Sequence, residues 1–328
     1  MRTYEYLSIR SKEFEQVPLL KFGYYLCTTG GLPSITQWAK GVKKRIICRL
    51  MSDQTLIKAS VGILTLNSAA DIPRALNSVE AFKDKFICDG NSTDGTQDIA
   101  RSLGARVTKQ VETDEPHQKI TDFGVARTTC VNASLEQWHF RLDSDEFLSP
   151  EAIEEIRAIV SDPNPPYHIY KIPRKYIWRG HIIDDTITYP NRQIRFFRRD
   201  AISGYTKMTH ERVVVNEGEP VGIMKNVMYV PMFDTYEDFD GKRLQRALDW
   251  DERHYRNSIT PRKWAYAVLH TSAQLALFSL RFVRVRLISR GNKLPVSYEL
   301  WRFKYLIVTT WLATRVMFSK LFGRSATV

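Results

Sequence analysis

The chain has 328 residues, 43% of them hydrophobic, and 48 Lys and Arg stand against 36 Asp and Glu for a formal net charge of +12. That is enough apolar material for one large core with accessory elements. Cys27, Cys48, Cys88 and Cys130 show neither metal-ligand spacing nor a disulfide framework, which fits a reducing compartment. No apolar segment follows Met1-Arg2-Thr3-Tyr4-Glu5, and no run reaches the roughly 18 apolar residues of a membrane span, so a cytoplasmic protein is expected.

Residues 1–57 carry a break at Gly30-Gly31-Leu32-Pro33 and a basic end at Lys43-Lys44-Arg45, and read as an N-terminal extension of one or two helices. From Ala59 the pattern becomes regular. Val61 to Leu66 is a strand, and Ala69 to Phe82 has helical spacing through Ile72, Leu76, Val79 and Phe82. Lys85 to Cys88 is a second strand. Asp94 is placed to cap a helix running to Ser102, and Gly104 to end it. Ala105 to Thr108, a helix from Phe123 to Leu135, and the strand Trp138 to Leu142 follow. Such alternation predicts an α/β fold with a mostly parallel sheet.

A helix after Ser149 stops at Ser161-Asp162-Pro163-Asn164-Pro165-Pro166. Tyr167 to Ile172, Tyr176 to Trp178, Ile194 to Phe197 and Arg212 to Val215 then read as strands. Helical periodicity returns after Asp238 and runs to Phe322, interrupted at Gly291-Asn292-Lys293-Leu294-Pro295. Three regions are expected: 1–57 as extension, 58–235 as the α/β domain, and 236–328 as a helical, basic and aromatic region.

The charge is concentrated in that last region. Residues 261–328 hold twelve basic side chains and one acid, Glu299, for +11, which leaves +1 for the other 260 residues. Trp264, Phe278, Phe282, Trp301, Phe303, Tyr305 and Trp311 are interleaved with the charges. Basic and aromatic residues mixed on helices fit the inner face of an anionic membrane better than nucleic acid, for which no binding motif is present. An ordinary core stripe through Trp301, Tyr305, Val308 and Leu312 is compatible with the same spacing.

Chemistry is concentrated where the strands end. Val61 to Leu66 runs into Asn67, Phe86-Ile87-Cys88 into Asp89-Gly90-Asn91-Ser92-Thr93-Asp94-Gly95-Thr96, and Trp138 to Leu142 into Asp143-Ser144-Asp145-Glu146. In open α/β sheets ligands bind along that edge. Carboxylates gathered there need a cation or hydrogen-bond donors between them, so bound Mg²⁺ or Mn²⁺ is expected. The plainer alternatives are that Asp145 and Glu146 cap the helix near Ser149 and that Asp89 holds its own turn.

These segments resemble a known family. Ala59–Glu146 is similar to the donor-binding half of family 2 glycosyltransferases of the GT-A fold, through Asn67, the Asp-Gly-x-Ser-Thr-Asp-Gly-Thr of 89–96 and the Leu-Asp-x-Asp-Glu of 142–146. The second half resembles the lipopolysaccharide-core sugar transferases, through Ile172-Pro173-Arg174, Tyr189-Pro190, Arg195-Phe196-Phe197-Arg198-Arg199 and His210-Glu211. One departure is Arg127-Thr128, where that subgroup has Arg-Asn.

The resemblance implies a metal-dependent, inverting transfer from a nucleotide-sugar donor, a UDP-sugar favoured, to a glycan or lipid-linked acceptor in cell-envelope synthesis. Thr65, Asn67, Asp89, Arg127, Asp143, Arg195 and Arg198 become the donor-binding candidates. Asp145, Asp143 and His210 become the metal-ligand candidates, and Glu211 the catalytic base, with Asp184 and Asp185 as substitutes. Two other readings share the features: a sugar nucleotidyltransferase, against which the absence of a Gly-x-Gly loop at Leu66–Ala70 counts, and a non-catalytic membrane-interface module.

Overall fold

The computed structural model describes residues 56–206 and 212–322. The extension expected over 1–57 lies almost wholly outside these residues, as do His210 and Glu211. In chain order the first half runs β1 (Ile57–Thr65), α1 (Ile72–Ser78), β2 (Phe82–Asp89), α2 (Thr96–Ser102), β3 (Arg106–Lys109), α3 (Phe123–Asn132), β4 (Trp138–Asp143), β5 (Phe147–Leu148) and α4 (Pro150–Ser161). The second runs β6 (Ile169–Trp178), β7 (His181–Ile182), β8 (Asn191–Arg198), β9 (Ile202–Thr206), β10 (Arg212–Val215), β11 (Val221–Ile223), β12 (Met228–Pro231), α5 (Tyr236–Ser258), α6 (Pro261–Val283) and α7 (Val296–Phe322).

The main sheet has the order β3-β2-β1-β4-β8-β6-β12-β5, with β7 and β11 also paired to β6. Its first four strands are parallel, and β8 is antiparallel to both β4 and β6. This is the expected α/β arrangement of a mixed, mostly parallel sheet flanked by helices, with a helical C-terminal region. β1 is buried at every position but Lys58, as a central strand covered on both faces must be. Odd positions Val61 and Ile63 join Ile72, Leu76, Phe140, Leu142 and Ile156 in the larger core. Leu64 turns to the other face with Phe86, Cys88, Ala126 and Cys130, beneath α3.

Local chemistry sets the boundaries. Pro73 at the start of α1 delays the helix expected from Ala69, and Val79 to Phe82 already lead into β2. Gly95, with φ of 87°, takes the N-cap position expected of Asp94. Asp94 instead accepts from Ala69 N at 2.9 Å and Thr96 N at 3.0 Å, tying the first two loops together. Gly104 ends α2 with φ of 74°, as expected. The two strands read at Tyr167–Ile172 and Tyr176–Trp178 are one, β6, which continues through Pro173.

The C-terminal helices share a core with the sheet's far side. Ile183 and Met232 pack with Phe239, Leu294, Tyr298 and Trp301, and Tyr176 and Trp178 border the cluster. Among the described residues no helix is long and apolar enough to cross a membrane.

Candidate active site

β1 lies between β2 and β4, so Thr65 pairs with Asp89 on one side and Leu64 with Asp143 on the other. With neighbouring strands ~4.8 Å apart, the two acids emerge roughly 10 Å apart along one edge of the sheet. Ser68 Oγ meets Ser144 Oγ at 3.2 Å, and Arg74 Nη2 donates to the Asp145 carbonyl at 3.1 Å. These contacts hold the acidic loop against the loop after β1.

Asp143 sits among arginines. Arg127, buried on α3, donates to Oδ1, and Arg195, buried on β8, donates to Oδ2 at 3.0 Å. Asp122 positions the first of these by accepting from Val125 N at 3.0 Å, which caps α3. The same Arg195 Nη2 reaches Glu146 Oε1 at 2.9 Å, and Arg174 Nη1 approaches that oxygen at 3.4 Å. Burial works against ionising Asp143, but Arg127, Arg195 and Arg141 together outweigh it and hold the carboxyl well below the usual range. Glu146 is pushed up to about 7, chiefly by burial, with Arg195 opposing and the Asp143 charge adding to the rise. When the two carboxyls share one proton, it therefore resides on Glu146.

The plainer alternative, that Asp145 and Glu146 cap the next helix, does not hold. Ser149 Oγ does so, accepting from Ala152 N at 3.1 Å. Asp89, in contrast, takes the turn-holding role. Its carboxylate accepts from Ser92 N at 2.7 Å, Ser92 Oγ at 2.6 Å, Gln97 Nε2 at 2.8 Å and Thr65 Oγ1 at 2.7 Å. Only 1% of the residue is exposed, and in this structure its carboxylate supports the loop that borders the cleft. Asn67, at φ of 50°, accepts from Thr93 N at 2.9 Å, and its Nδ2 lies 3.0 Å from His117 Nδ1 at the exposed end of the same loop.

The expected place of Arg198 is corrected. It pairs across the sheet with Trp138, at the start of β4 and the far end from Asp143, and its guanidinium grips Asp200 at 2.7 and 3.1 Å. Arg199 donates to the Ser134 carbonyl at that same end. Of the Arg-x-x-Arg-Arg set, the structure brings Arg195 alone to the acids. Asp184 and Asp185 are also held elsewhere. Asp185 takes a two-pronged contact from Arg284 at 2.6 and 2.8 Å, and Asp184 accepts from Asn292 N at 2.8 Å and faces Lys175 Nζ at 3.6 Å.

Glu146, Arg174 and Gln97 were not among the sequence candidates, although the first two stand in the quoted motifs. Their signal was the buried ion network itself, which no spacing rule reveals. Both oxygens of Asp143 face guanidinium groups, Oδ1 that of Arg127 and Oδ2 that of Arg195. Among the described residues no three His, Cys, Asp or Glu side chains are grouped to hold a metal. Asp145, exposed beside the network, fits a cation that arrives with a diphosphate, since Mg²⁺ is commonly held by one or two carboxylates plus substrate phosphates.

Residues 60–211 match the family model described as glycosyl transferase family 2. An uncharacterised glycosyltransferase of Rickettsia typhi is 34% identical over 165 residues, 49% of this chain and 54% of that one. Another from Rickettsia bellii is 34% identical over 172 residues, covering 51% and 56%. The chain thus spans about half the length of the curated relatives it matches. A crystal structure of Staphylococcus aureus TarS 1–349 aligns over 82% of this chain and 93% of that one, with 14% identity and a TM-score of 0.38. The strand order, the acid-ended strands and the family match agree: residues 60–211 are similar to glycosyl transferase family 2.

Proposed function

We propose that the protein transfers one sugar, with inversion, from a nucleotide-sugar donor to a glycan or lipid-linked acceptor of the cell envelope, and that the donor is a UDP-sugar. The observation that carries this reading is Asp143 fixed between Arg127 and Arg195 at the end of β4, with only β1 between it and the strand whose turn Asp89 holds, within the residues that match family 2.

The residues divide the work by position. Asp143 stays ionised, and its side chain keeps 31% exposure, enough to accept hydrogen bonds from a donor hydroxyl. Asn67 and the 91–96 loop form the adjoining border for the nucleoside. Asp145 would hold a divalent cation, which when bound supplies charge stabilisation to the departing diphosphate, commonly worth several kcal/mol. Glu211 takes the proton of the acceptor hydroxyl as that oxygen bonds to the anomeric carbon and the nucleoside diphosphate leaves from the opposite face. General-base assistance of this kind contributes ~10²–10⁴-fold. One displacement suffices, and no covalent sugar–enzyme species is required.

The same proposal places the protein on an anionic membrane surface. Leu269, Leu280, Leu287, Ile288, Trp311 and Phe322 are exposed on the described C-terminal helices, among the region's Arg and Lys. Binding to vesicles with and without anionic lipid checks that part.

The test of the chemistry uses purified full-length chain with Mn²⁺ and a series of UDP-, GDP- and ADP-sugars. A bound donor must raise the melting temperature, and acceptor must bring release of free nucleoside diphosphate without pyrophosphate. If no donor raises the melting temperature, the reading fails. Pyrophosphate release would point instead to nucleotidyl transfer.

A further inference from the structure

A second cleft lies where the C-terminal region meets the loop before β8. Its volume is about 460 Å³, within the ~300–1,000 Å³ common for small-molecule sites, and its lining includes Asp184, Asp185, Tyr189, Arg281, Arg284 and Arg290. From this cleft we infer a site for the phosphate group of the acceptor, an inference that rests on the transferase reading given above.

The charge balance of the lining selects an anion. Arg284 is matched by Asp185, which it grips with both terminal nitrogens. Asp184 is matched by Lys175 and by the backbone amide of Asn292. Arg281 meets a neutral partner, the Ile187 carbonyl at 3.2 Å, and among the described residues neither Arg281 nor Arg290 has a carboxylate within ion-pair reach. Two guanidinium groups are thus left to a ligand. Planar, multiply donating and permanently charged, they suit the several oxygens of a phosphate ester.

Position ties the cleft to the transfer site. Tyr189 and Pro190 run directly into Asn191, the first residue of β8, which pairs with Arg174 on β6. Arg174 is the residue whose guanidinium approaches Glu146. Lys175, next along β6, holds Asp184 on the cleft wall. The cleft and the acidic edge thus share β6 and the start of β8, and an acceptor anchored by phosphate here would extend its neighbouring sugar along them. Leu280, Leu287 and Ile288, all exposed, flank the arginines in sequence and offer apolar surface to an alkyl chain attached to that phosphate.

The experiment is equilibrium binding to the full-length chain of sn-glycerol 3-phosphate, decyl phosphate and decyl maltoside, with a UDP-sugar measured in parallel. The variants are Arg281→Gln/Arg290→Gln, Arg290→Gln alone, and a charge-matched control outside the cleft, Arg262→Gln/Lys320→Gln. The cleft double variant is expected to weaken decyl phosphate binding by at least about tenfold, with the control changing it less than about twofold. Decyl maltoside and UDP-sugar binding should be unchanged in every variant. Arg290→Gln, which removes no described hydrogen bond, should give an intermediate loss and exclude misfolding as the cause.

Equal losses in both double variants, or no loss in either, overturn the site. Glycerol phosphate binding within a few-fold of decyl phosphate assigns a water-soluble phosphorylated acceptor, and a preference for decyl phosphate assigns a lipid-linked one. Absence of UDP-sugar binding with phosphate binding intact would sink the transferase reading while leaving the anion cleft in place.

Discussion

Arg195 and Glu146 meet at 2.9 Å with side-chain exposures of 1% and 3%, a buried ion pair in the wall of the candidate site. Removing Arg195 takes a buried charge partner from both Glu146 and Asp143. Arg195→Met should therefore lower unfolding stability by about 3–5 kcal/mol, and Arg195→Met combined with Glu146→Gln should recover part of that loss. Urea denaturation of Arg195→Met, Glu146→Gln and the double variant measures the coupling. Strict additivity would show that the pair does not act as one unit.

Glu299 on α7 is the clearer source of pH dependence. It is buried, its Oε2 accepts from Ile187 N at 3.2 Å, and its pKa is raised from 4.5 to about 7 by burial, with that bond and Arg286 opposing. A carboxyl with a raised folded-state pKa penalises the folded state once ionised. Stability should thus fall as pH rises from about 4.5 through 7 and level off above, by on the order of 3 kcal/mol in total. Glu299→Gln should flatten that portion of the curve when unfolding is followed against pH.

Asp145→Ala should reduce sugar transfer by about 10²-fold or more while leaving the melting temperature of the unliganded protein within a few degrees. The residue is exposed, on the loop between β4 and β5. A Mn²⁺ titration of activity, in which the variant fails to saturate where the unaltered protein does, separates cation binding from a general loss of fold. Undiminished transfer by the variant would remove Asp145 from the site.

Arg198→Gln should leave donor binding within about twofold of the starting protein. Its guanidinium is engaged by Asp200 at the far end of β8, and a partly exposed pair of that kind is worth about 0–1 kcal/mol. Donor titration by calorimetry compares it with Arg195→Lys, which keeps the charge but loses the reach to two carboxylates and should bind at least about tenfold more weakly.

Gly62, at the middle of β1, tests the packing beneath the site. A methyl group there would meet Cys130 Sγ at 2.7 Å, His139 Cε1 at 2.8 Å and Phe86 Cζ at 2.9 Å. Gly62→Ala should cost about 1–3 kcal/mol by overpacking, read as a lower denaturation midpoint at unchanged slope.

The strand–helix alternation of 59–142 was legible because buried strands and amphipathic helices leave periodic traces in composition. Asp143 and Asp145 were legible as an acidic end to an apolar strand. What those acids touch was not. The partners of Asp143 come from α3 and from β8, 16 and 52 residues away, and only the antiparallel insertion of β8 beside β4 brings the second one there. Arg195 and Arg198 look equivalent in sequence, yet three residues of strand carry one to the acids and the other to Asp200 at the opposite end. A strand-terminal acid such as Asp89 has the same sequence signature whether it faces a ligand or its own turn. Counting its four donors requires coordinates.

β6 belongs to two neighbourhoods at once. Its first half pairs with β8 within the central sheet, and its second half pairs with β12 and β7 and carries Tyr176 and Trp178 to the aromatic cluster of Phe239, Tyr298 and Trp301. The C-terminal helices are consequently no detachable appendage. A chain cut after Pro231 would strip the cover from Trp178 and Ile183 and leave Asp185 without Arg284, so trimming toward a minimal catalytic core would yield sticky, misassembled material in place of a smaller enzyme.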